Sequence, residues 1–315
     1  MKKPFLLIVA FIVTTSCFAQ HISPAEKTFI QSKEDSLVHY ANLVAYSPHP
    51  QDRFSGDSIF TRMLVKALRM PHSFYYSFDS LQTVSILYPP DSSFRIFTWI
   101  MQLDDDVIFQ HGAIQMNTLD GSLKLFPLID RSNTIDNLTD TVTDNRNWIG
   151  AVYYKIIETQ FNNHSYYTLL GYDEDNTRCT RKIIEVLGFN EHNQPVFGAA
   201  NFAFEKSFIT RSTMKRYIME YKKDASPKLN YDPELGMIVL EHLESESGEP
   251  KKPWTMVPDG DYEGFKWEGG QWVHVDKIFN QITPEGQEPV PAPVKETNKI
   301  QFDDSKNSGT PADSK

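Results

Sequence analysis

The sequence predicts a mainly β (α+β) fold in which two N-terminal helices pack on a long antiparallel meander. The meander is expected to form an open, curved or barrel-like sheet. Apolar residues recur at helical spacing up to about residue 70 and alternate with polar residues from Ser73 onward. In the middle of the chain, residues 169–173 (LLGYD) are echoed seventeen positions later by residues 186–190 (VLGFN). Each copy places strand-forming residues before a glycine and an Asx residue, which is typical of a strand that ends in a turn.

Two helices are predicted over residues 23–70, each with an apolar stripe that must be buried against the sheet. For the first helix, Ser23 can act as the N-cap, Pro24 suits the first helical position and Glu26 completes a capping box. That helix should end before Pro48. The second is predicted to begin near residues 57–58 and to end at residue 71, a proline.

Strands are predicted from residue 73 to residue 275. The alternating pattern and the turn residues place them at 73–79, 82–88, 94–103, 107–117, 122–129 and 148–158, in the central stretch 166–204, and at 212–222 and 237–243. Residues 131–147 are rich in Asp, Asn and Thr and are predicted to form a solvated loop.

A terminal hairpin is predicted for residues 262–268 and 271–275. The pair Gly269 and Gly270 suits a two-residue primed turn between its strands. This register places Trp267 opposite Trp272 and residue 265 opposite residue 274.

Residues 1–19 are predicted to be a secretory signal peptide. Lys2 and Lys3 precede an apolar run at 5–13 that is too short to span a bilayer, and cleavage is expected after Ala19. The alternative is lipidation of Cys17, although the preceding residues lack the usual Leu. The protein is therefore expected to be periplasmic or secreted, with a lipid-anchored envelope protein as the alternative.

The remaining chain is predicted to contain one β-rich domain, residues 20–282, and a disordered, acidic, Pro-rich tail, residues 283–315. A composition that is 40% hydrophobic and 13% aromatic is typical of a folded protein. No segment of the mature chain is long and apolar enough to be predicted as a transmembrane helix.

The charge of the chain argues against two classes of partner. The formal net charge is −10, and it becomes −12 when residues 1–19, which contain two lysines and no acids, are removed. An acidic exported protein is a poor candidate for binding nucleic acid or anionic membranes. Without Cys17, only Cys179 remains, so no internal disulfide is expected; Cys179 is interpreted as a small apolar strand residue, with a nucleophile as the alternative.

The candidate ligand-binding residues lie in the terminal hairpin: Phe265, Trp267, Trp272 and His274. Aromatic rings on a rigid sheet can stack on sugar rings or hold a peptide, so the expected partner is a glycan or a protein. The alternative is that these rings cap the core, because an isolated hairpin needs such packing to be stable.

The candidate metal ligands are Asp173 and Asp175, in the sequence DEDN at 173–176. Carboxylates on a turn can bind calcium through oxygen. Residues 104–106 (DDD) present the same possibility, and in both places a solvated turn is the alternative. No cofactor is predicted.

Catalytic signals are few. The chain contains no GxSxG, HExxH, GxGxxG, P-loop or CxxC motif. His111 or His192 could act as a general base if a carboxylate orients it, and a structural role is the alternative. The sequence thus leaves two hypotheses: an exported binding or structural module, or a secreted hydrolase, with glycans as one candidate substrate, that uses two carboxylates from separate strands.

Several segments resemble an uncharacterised family of exported Bacteroidota proteins. They are the FAQ junction at 18–20, the FRIFTW strand at 94–99, the LLGYD segment at 169–173 and the VPDGDYEGF segment at 257–265. The resemblance covers most of residues 24–280. It implies export and carries no activity.

Overall fold

The computed structural model describes residues 22–104, 107–204 and 213–279. The predicted signal peptide, Cys17 and the predicted tail lie outside these residues. The described residues up to Phe279 belong to one compact unit. The fold is mainly β, with 44% strand, 21% helix and a curled, open half-barrel sheet, which confirms the predicted fold class. Within the described ranges, no helix has the length and apolar character needed to cross a membrane.

Both predicted helices form, but the second begins earlier than expected. Helix α1 (Pro24–Tyr46) has the predicted capping box, in which Ser23 and Glu26 bond to each other's backbone N–H groups. Helix α2 is Pro50–Leu68, so the predicted start near residue 57 was wrong. Pro50 occupies a first-turn position, where its fixed φ and missing N–H cost nothing, and His49 provides the extended N-cap.

The strands, in chain order, are β1 (Ser85–Leu87), β2 (Phe94–Asp104), β3 (Val107–Met116), β4 (Lys124–Ile129), β5 (Thr143–Asp144), β6 (Val152–Phe161), β7 (His164–Asp173), β8 (Cys179–Phe189), β9 (Pro195–Phe197), β10 (Phe202–Ala203), β11 (Thr213–Met214), β12 (Arg216–Lys222), β13 (Leu229–Asp232), β14 (Met237–Ser245), β15 (Met256–Glu268) and β16 (Gln271–Val275). They form a first sheet in the order β1-β2-β3-β4, a central sheet in the order β5-β9-β8-β7-β6 with β12 also paired to β8, and an outer sheet in the order β11-β10-β16-β15-β14-β13.

The strand predicted at residues 73–79 was wrong. This segment forms a 3-10 turn at Ser73–Tyr75 followed by irregular backbone, with a positive φ of 56° at Phe78. Arg95, a fully buried residue of β2, donates to the carbonyl oxygens of Ser73 and Tyr76 at 2.9 and 2.5 Å. These two carbonyl oxygens accept from Arg95, and the Ser73 oxygen also accepts from the Tyr76 N–H of the 3-10 turn, so neither bonds to a neighbouring strand.

The helices and the three sheets stack in four layers, as the alternation of side chains shows. In β2, Phe97 packs against the helices, whereas Ile96 packs against the central sheet. In β7, Leu169 faces the first sheet and Leu170 faces the outer sheet. The central sheet is therefore apolar on both faces, which is expected for strands buried on both sides.

The terminal hairpin has the predicted register. Trp267 pairs with Trp272 and Phe265 with His274, and the turn glycines have φ values of 59° and 81°. The pairing of β10 with β16 departs from the predicted antiparallel meander, because these two strands run parallel. It attaches the hairpin to the end of the central stretch.

The predicted loop at residues 131–147 is held on the central sheet by a buried ion pair. Arg216 and Glu185 are both fully buried, and Arg216 Nη2 lies 2.9 Å from Glu185 Oε2. Arg216 also donates to the carbonyl oxygens of Leu138 and Thr141. The loop thus has a fixed path across the sheet edge, where it contributes the short strand β5.

Candidate functional site

Two of the four candidate hairpin residues lie in the core. Phe265 and Trp272 have no exposed surface. The Trp272 indole N–H donates to Thr168 Oγ1 of the central sheet at 2.8 Å, and Phe265 meets Phe202 edge-on with ring centroids 5.3 Å apart. The first contact joins the outer sheet to the central sheet and the second lies within the outer sheet, and in this structure neither side chain reaches a surface where a ligand could stack.

His274 is also enclosed, with a side chain only 6% exposed. Its Nε2 lies 2.9 Å from Glu263 Oε2, and the Tyr217 hydroxyl donates to the other oxygen of Glu263 at 3.2 Å. Burial and the adjacent carboxylate raise the pKa of Tyr217 well above its usual value. Phe204 stacks on the imidazole at 5.0 Å. His274 therefore belongs to an internal polar network.

Trp267 is the partly exposed member of the four. Its ring lies 5.6 Å from that of Tyr166 on β7 and 5.4 Å from that of Trp272. Its indole N–H points to the carbonyl oxygen of Gln160 at 3.4 Å. Trp267 therefore packs against Tyr166, and Tyr166 in turn borders a surface groove.

This groove, the Tyr166 groove, has a volume of about 360 Å³ at the end of the central sheet. Tyr166, Gly188 and Ala199 line it, together with His164, Ser165, Phe189, Asn190 and Val196. Two of the lining residues are small and lie close together: a Cβ atom on Gly188 would come within 2.8 Å of the Ala199 Cβ. The sequence signal for it was the LLGYD/VLGFN echo, whose second glycine is Gly188; sequence reasoning did not identify Tyr166 or Ala199.

The walls of the Tyr166 groove combine aromatic and hydrogen-bonding groups. Tyr166 supplies a ring and Asn190 supplies a polar side chain. Asn190 Oδ1 accepts backbone N–H groups of its own turn, so its side chain is fixed in position. The Phe189 ring packs against Phe94 and Tyr167 on the other face of the central sheet, and Ser165 Oγ donates to Glu158 at 3.2 Å on that same face. A ring beside a fixed polar group can hold a ligand with one apolar face and several hydroxyl groups.

The two candidate metal ligands contact an arginine. Asp173 Oδ2 and Asp175 Oδ1 lie 3.6 and 2.6 Å from Arg181 Nη1, and Arg181 Nε donates to Glu220 at 2.6 Å. The guanidinium group thus takes the position between the carboxylates that a cation would need. Within residues 22–104, 107–204 and 213–279, no group of three or more His, Cys, Asp or Glu side chains is arranged to hold a metal ion. Of the DDD candidate, residues 105–106 lie outside these ranges.

The carboxyl group of Asp173 is buried and has a raised pKa. Gln110 on β3 donates from Nε2 to Asp173 Oδ1 at 2.5 Å, joining the first sheet to the central sheet. Burial raises the pKa of Asp173 to about 6, opposed by the Asp175 backbone N–H and by Arg181. Raised carboxyl pKa values occur at functional sites and also in structural networks.

His111 has the orienting carboxylate that the sequence hypothesis required. Its Nδ1 lies 2.8 Å from Asp57 Oδ1 on α2, and the Trp99 indole N–H donates to the same oxygen at 2.8 Å. Among the described residues, His111 has no hydroxyl or thiol nucleophile within hydrogen-bonding distance. His192 lies in an exposed turn. Cys179 is buried, and desolvation is the largest of the causes that raise the pKa of its thiol.

Comparison with family models, with curated proteins and with solved structures gives no match for this chain.

Proposed function

We propose that the protein is an exported, non-enzymatic binding module that holds a saccharide in the Tyr166 groove. The observation that carries this proposal is the contact of Tyr166 with Trp267 beside a groove that Gly188 and Ala199 also line. A sugar ring offers an apolar face to an aromatic side chain and hydroxyl groups to fixed polar side chains. A volume of about 360 Å³ lies at the small end of the range for ligand pockets, which suits one or two sugar units.

The arrangement of carboxylates favours binding over hydrolysis. A glycosidase of the usual kind needs two carboxyl groups that flank an open position for the scissile bond. Asp173 and Asp175 come together, but Arg181 lies between them and pairs with both. Among the described residues, none that lines the Tyr166 groove is acidic. Of the two alternatives left by the sequence, this arrangement supports the binding module.

Glycan binding by the Tyr166 groove is tested with the full exported chain on a glycan array, followed by calorimetry with each positive glycan. Tyr166→Ala and Trp267→Ala are expected to weaken binding at least about tenfold, because the first removes the ring that stacks on the sugar and the second removes its support. Tyr46→Ala is the matched control, since Tyr46 is an exposed aromatic at the end of α1. Absence of any glycan ligand, or unchanged binding by Tyr166→Ala, would refute the proposal.

Export is part of the same proposal and has its own test. The Lys2–Lys3 start and the following apolar run support a signal peptide cleaved after Ala19, as does the resemblance to exported Bacteroidota proteins. The mature protein should therefore begin at Gln20 when its N-terminus is sequenced. A mature N-terminus at a lipid-modified Cys17 would instead support the envelope-anchored alternative.

A further inference from the structure

A second, smaller cavity lies in a different layer, between α1 and the irregular segment 75–80. Its volume is about 220 Å³, and it is a recess rather than an open surface. Lys27, Gln31 and Glu34 line it from α1, and Asp79 and Ser80 line it from the facing segment. Residues 27, 31 and 34 share one face of the helix because they are spaced at four and three positions.

The wall of this cavity is held in place by Glu34. The hydroxyl of Tyr76 donates to Glu34 Oε2, and the backbone N–H of Ser80 donates to Glu34 Oε1 at 3.3 Å. Desolvation and the Glu34 carboxylate raise the pKa of Tyr76 above its usual value, so the phenol remains a donor. The segment and the helix are therefore fixed relative to each other, and the cavity is preformed.

Several polar groups in the wall remain available to a ligand. In the described part of the chain, Lys27 and Gln31 form no hydrogen bond or ion pair with another side chain. Asp79 accepts from Ser77 Oγ at 2.7 Å through Oδ2, which leaves Oδ1. Opposite charges thus stand at the two ends: Lys27 lies in the first turn of α1, and Glu34 lies seven residues further along, or about 10 Å along the helix axis.

From this separation of charge we propose that the cavity binds a small zwitterion, an amino acid or a dipeptide. Its carboxylate lies at Lys27, near the positive end of the helix dipole, and its ammonium group lies between Glu34 and Asp79. Glu26, the other acid of the first turn, is held by the capping box with Ser23. A volume below the usual range of about 300–1,000 Å³ for pockets that hold drug-sized ligands restricts the occupant to this size.

The test is calorimetry on the full mature chain with alanine, Ala-Ala and the doubly capped N-acetyl-Ala-Ala-amide. At least one of the two zwitterions, alanine and Ala-Ala, should bind saturably. The one that binds more tightly shows whether the cavity is an amino-acid site or a dipeptide site. The capped compound, which carries neither charge, should not bind. No binding of either zwitterion up to about ten millimolar, or equal binding of the capped compound, would overturn the proposal.

Variants locate the site. Lys27→Met and Asp79→Asn should each weaken zwitterion binding at least about tenfold, because each removes one charge-assisted contact. Lys33→Met is the matched control, since Lys33 is on the same helix but lies over Phe29, outside the cavity. Tyr166→Ala should leave zwitterion binding unchanged, which separates this proposal from glycan binding. Equal binding by wild type and Lys27→Met would place the ligand elsewhere and overturn it.

Discussion

A Cβ atom on Gly188 would lie 2.8 Å from the Cβ atom of Ala199, closer than such atoms approach in folded proteins. Gly188 is near the end of β8, and its backbone is not in the left-handed region. The need for glycine at this position thus comes from the close approach of another chain segment, and both residues line the Tyr166 groove.

The contact between Gly188 and Ala199 predicts a compensating pair of substitutions. Gly188→Ala should lower the free energy of unfolding by about 1–3 kcal/mol through overpacking. The double variant Gly188→Ala/Ala199→Gly should recover most of that loss, because it removes the facing methyl group. Denaturant unfolding measures both. A single variant as stable as the wild type would show that the two residues do not meet as closely as the structure places them.

The buried pair of Arg216 and Glu185 predicts a large loss of stability when one charge is removed. Arg216→Met should lower the free energy of unfolding by about 3–5 kcal/mol, because it leaves Glu185 buried without a counter-charge. It also removes the donors to Leu138 and Thr141, so limited proteolysis should cut within residues 131–147 more readily. Arg146→Met, an exposed arginine in the same loop, is the control and should change little. Equal stability and proteolysis of the two variants would argue against the role given to Arg216.

Asp173 predicts a specific pH dependence. Its pKa is about 6 in the folded chain and near 3.8 otherwise, so the folded state binds the proton more tightly. Its contribution to stability is therefore fully present below pH 3.8 and is lost as the pH rises through 6. At a pH of about 7.5 the ionised, buried side chain should cost up to about 3 kcal/mol.

The difference between wild type and Asp173→Asn isolates that contribution. Asparagine keeps an oxygen that can accept from Gln110 but does not titrate. The wild type should gain stability relative to Asp173→Asn when the pH is lowered from about 7.5 to about 4.5, measured by denaturant unfolding at each pH. Asp136→Asn, at an exposed carboxylate, is the control for general charge effects. A difference that stays constant across this range would contradict the assignment.

Local chemistry determined which parts of the fold could be predicted. The capping box of Ser23 and Glu26 and the turn at Gly269 and Gly270 are formed by neighbours in sequence, so their patterns predicted the α1 start and the hairpin register. The segment at 73–79 depends on Arg95, about twenty residues away, and its own alternation could not reveal that contact.

The candidate sites were harder to predict because burial depends on the packing of distant layers. The predicted register paired Trp267 with Trp272 and Phe265 with His274, but it could not show that the central sheet covers Phe265 and Trp272. Likewise, the sequence singled out His111 and the need for a carboxylate. It could not identify Asp57, which is 54 positions away and lies where the sequence pattern predicts the start of the second helix.

Asp57 predicts how α2 is attached to the first sheet. Its Oδ1 accepts from both the Trp99 indole and His111, and Asp57 and Trp99 are buried. Asp57→Ala should lower the free energy of unfolding by about 1–3 kcal/mol, because it leaves the buried indole N–H without an acceptor. His111→Ala should cost less, since it leaves the bond between Trp99 and Asp57 intact.

Denaturant unfolding followed by tryptophan fluorescence measures both changes, with Asp35→Ala on the exposed face of α1 as the control. Asp57→Asn retains an acceptor oxygen and should fall between the wild type and Asp57→Ala. If His111→Ala proved more costly than Asp57→Ala, the histidine would be the main attachment of α2, and the indole bond would be secondary. The predicted order instead follows from burial, because the indole is enclosed while a third of the His111 side chain is exposed and can bond to water.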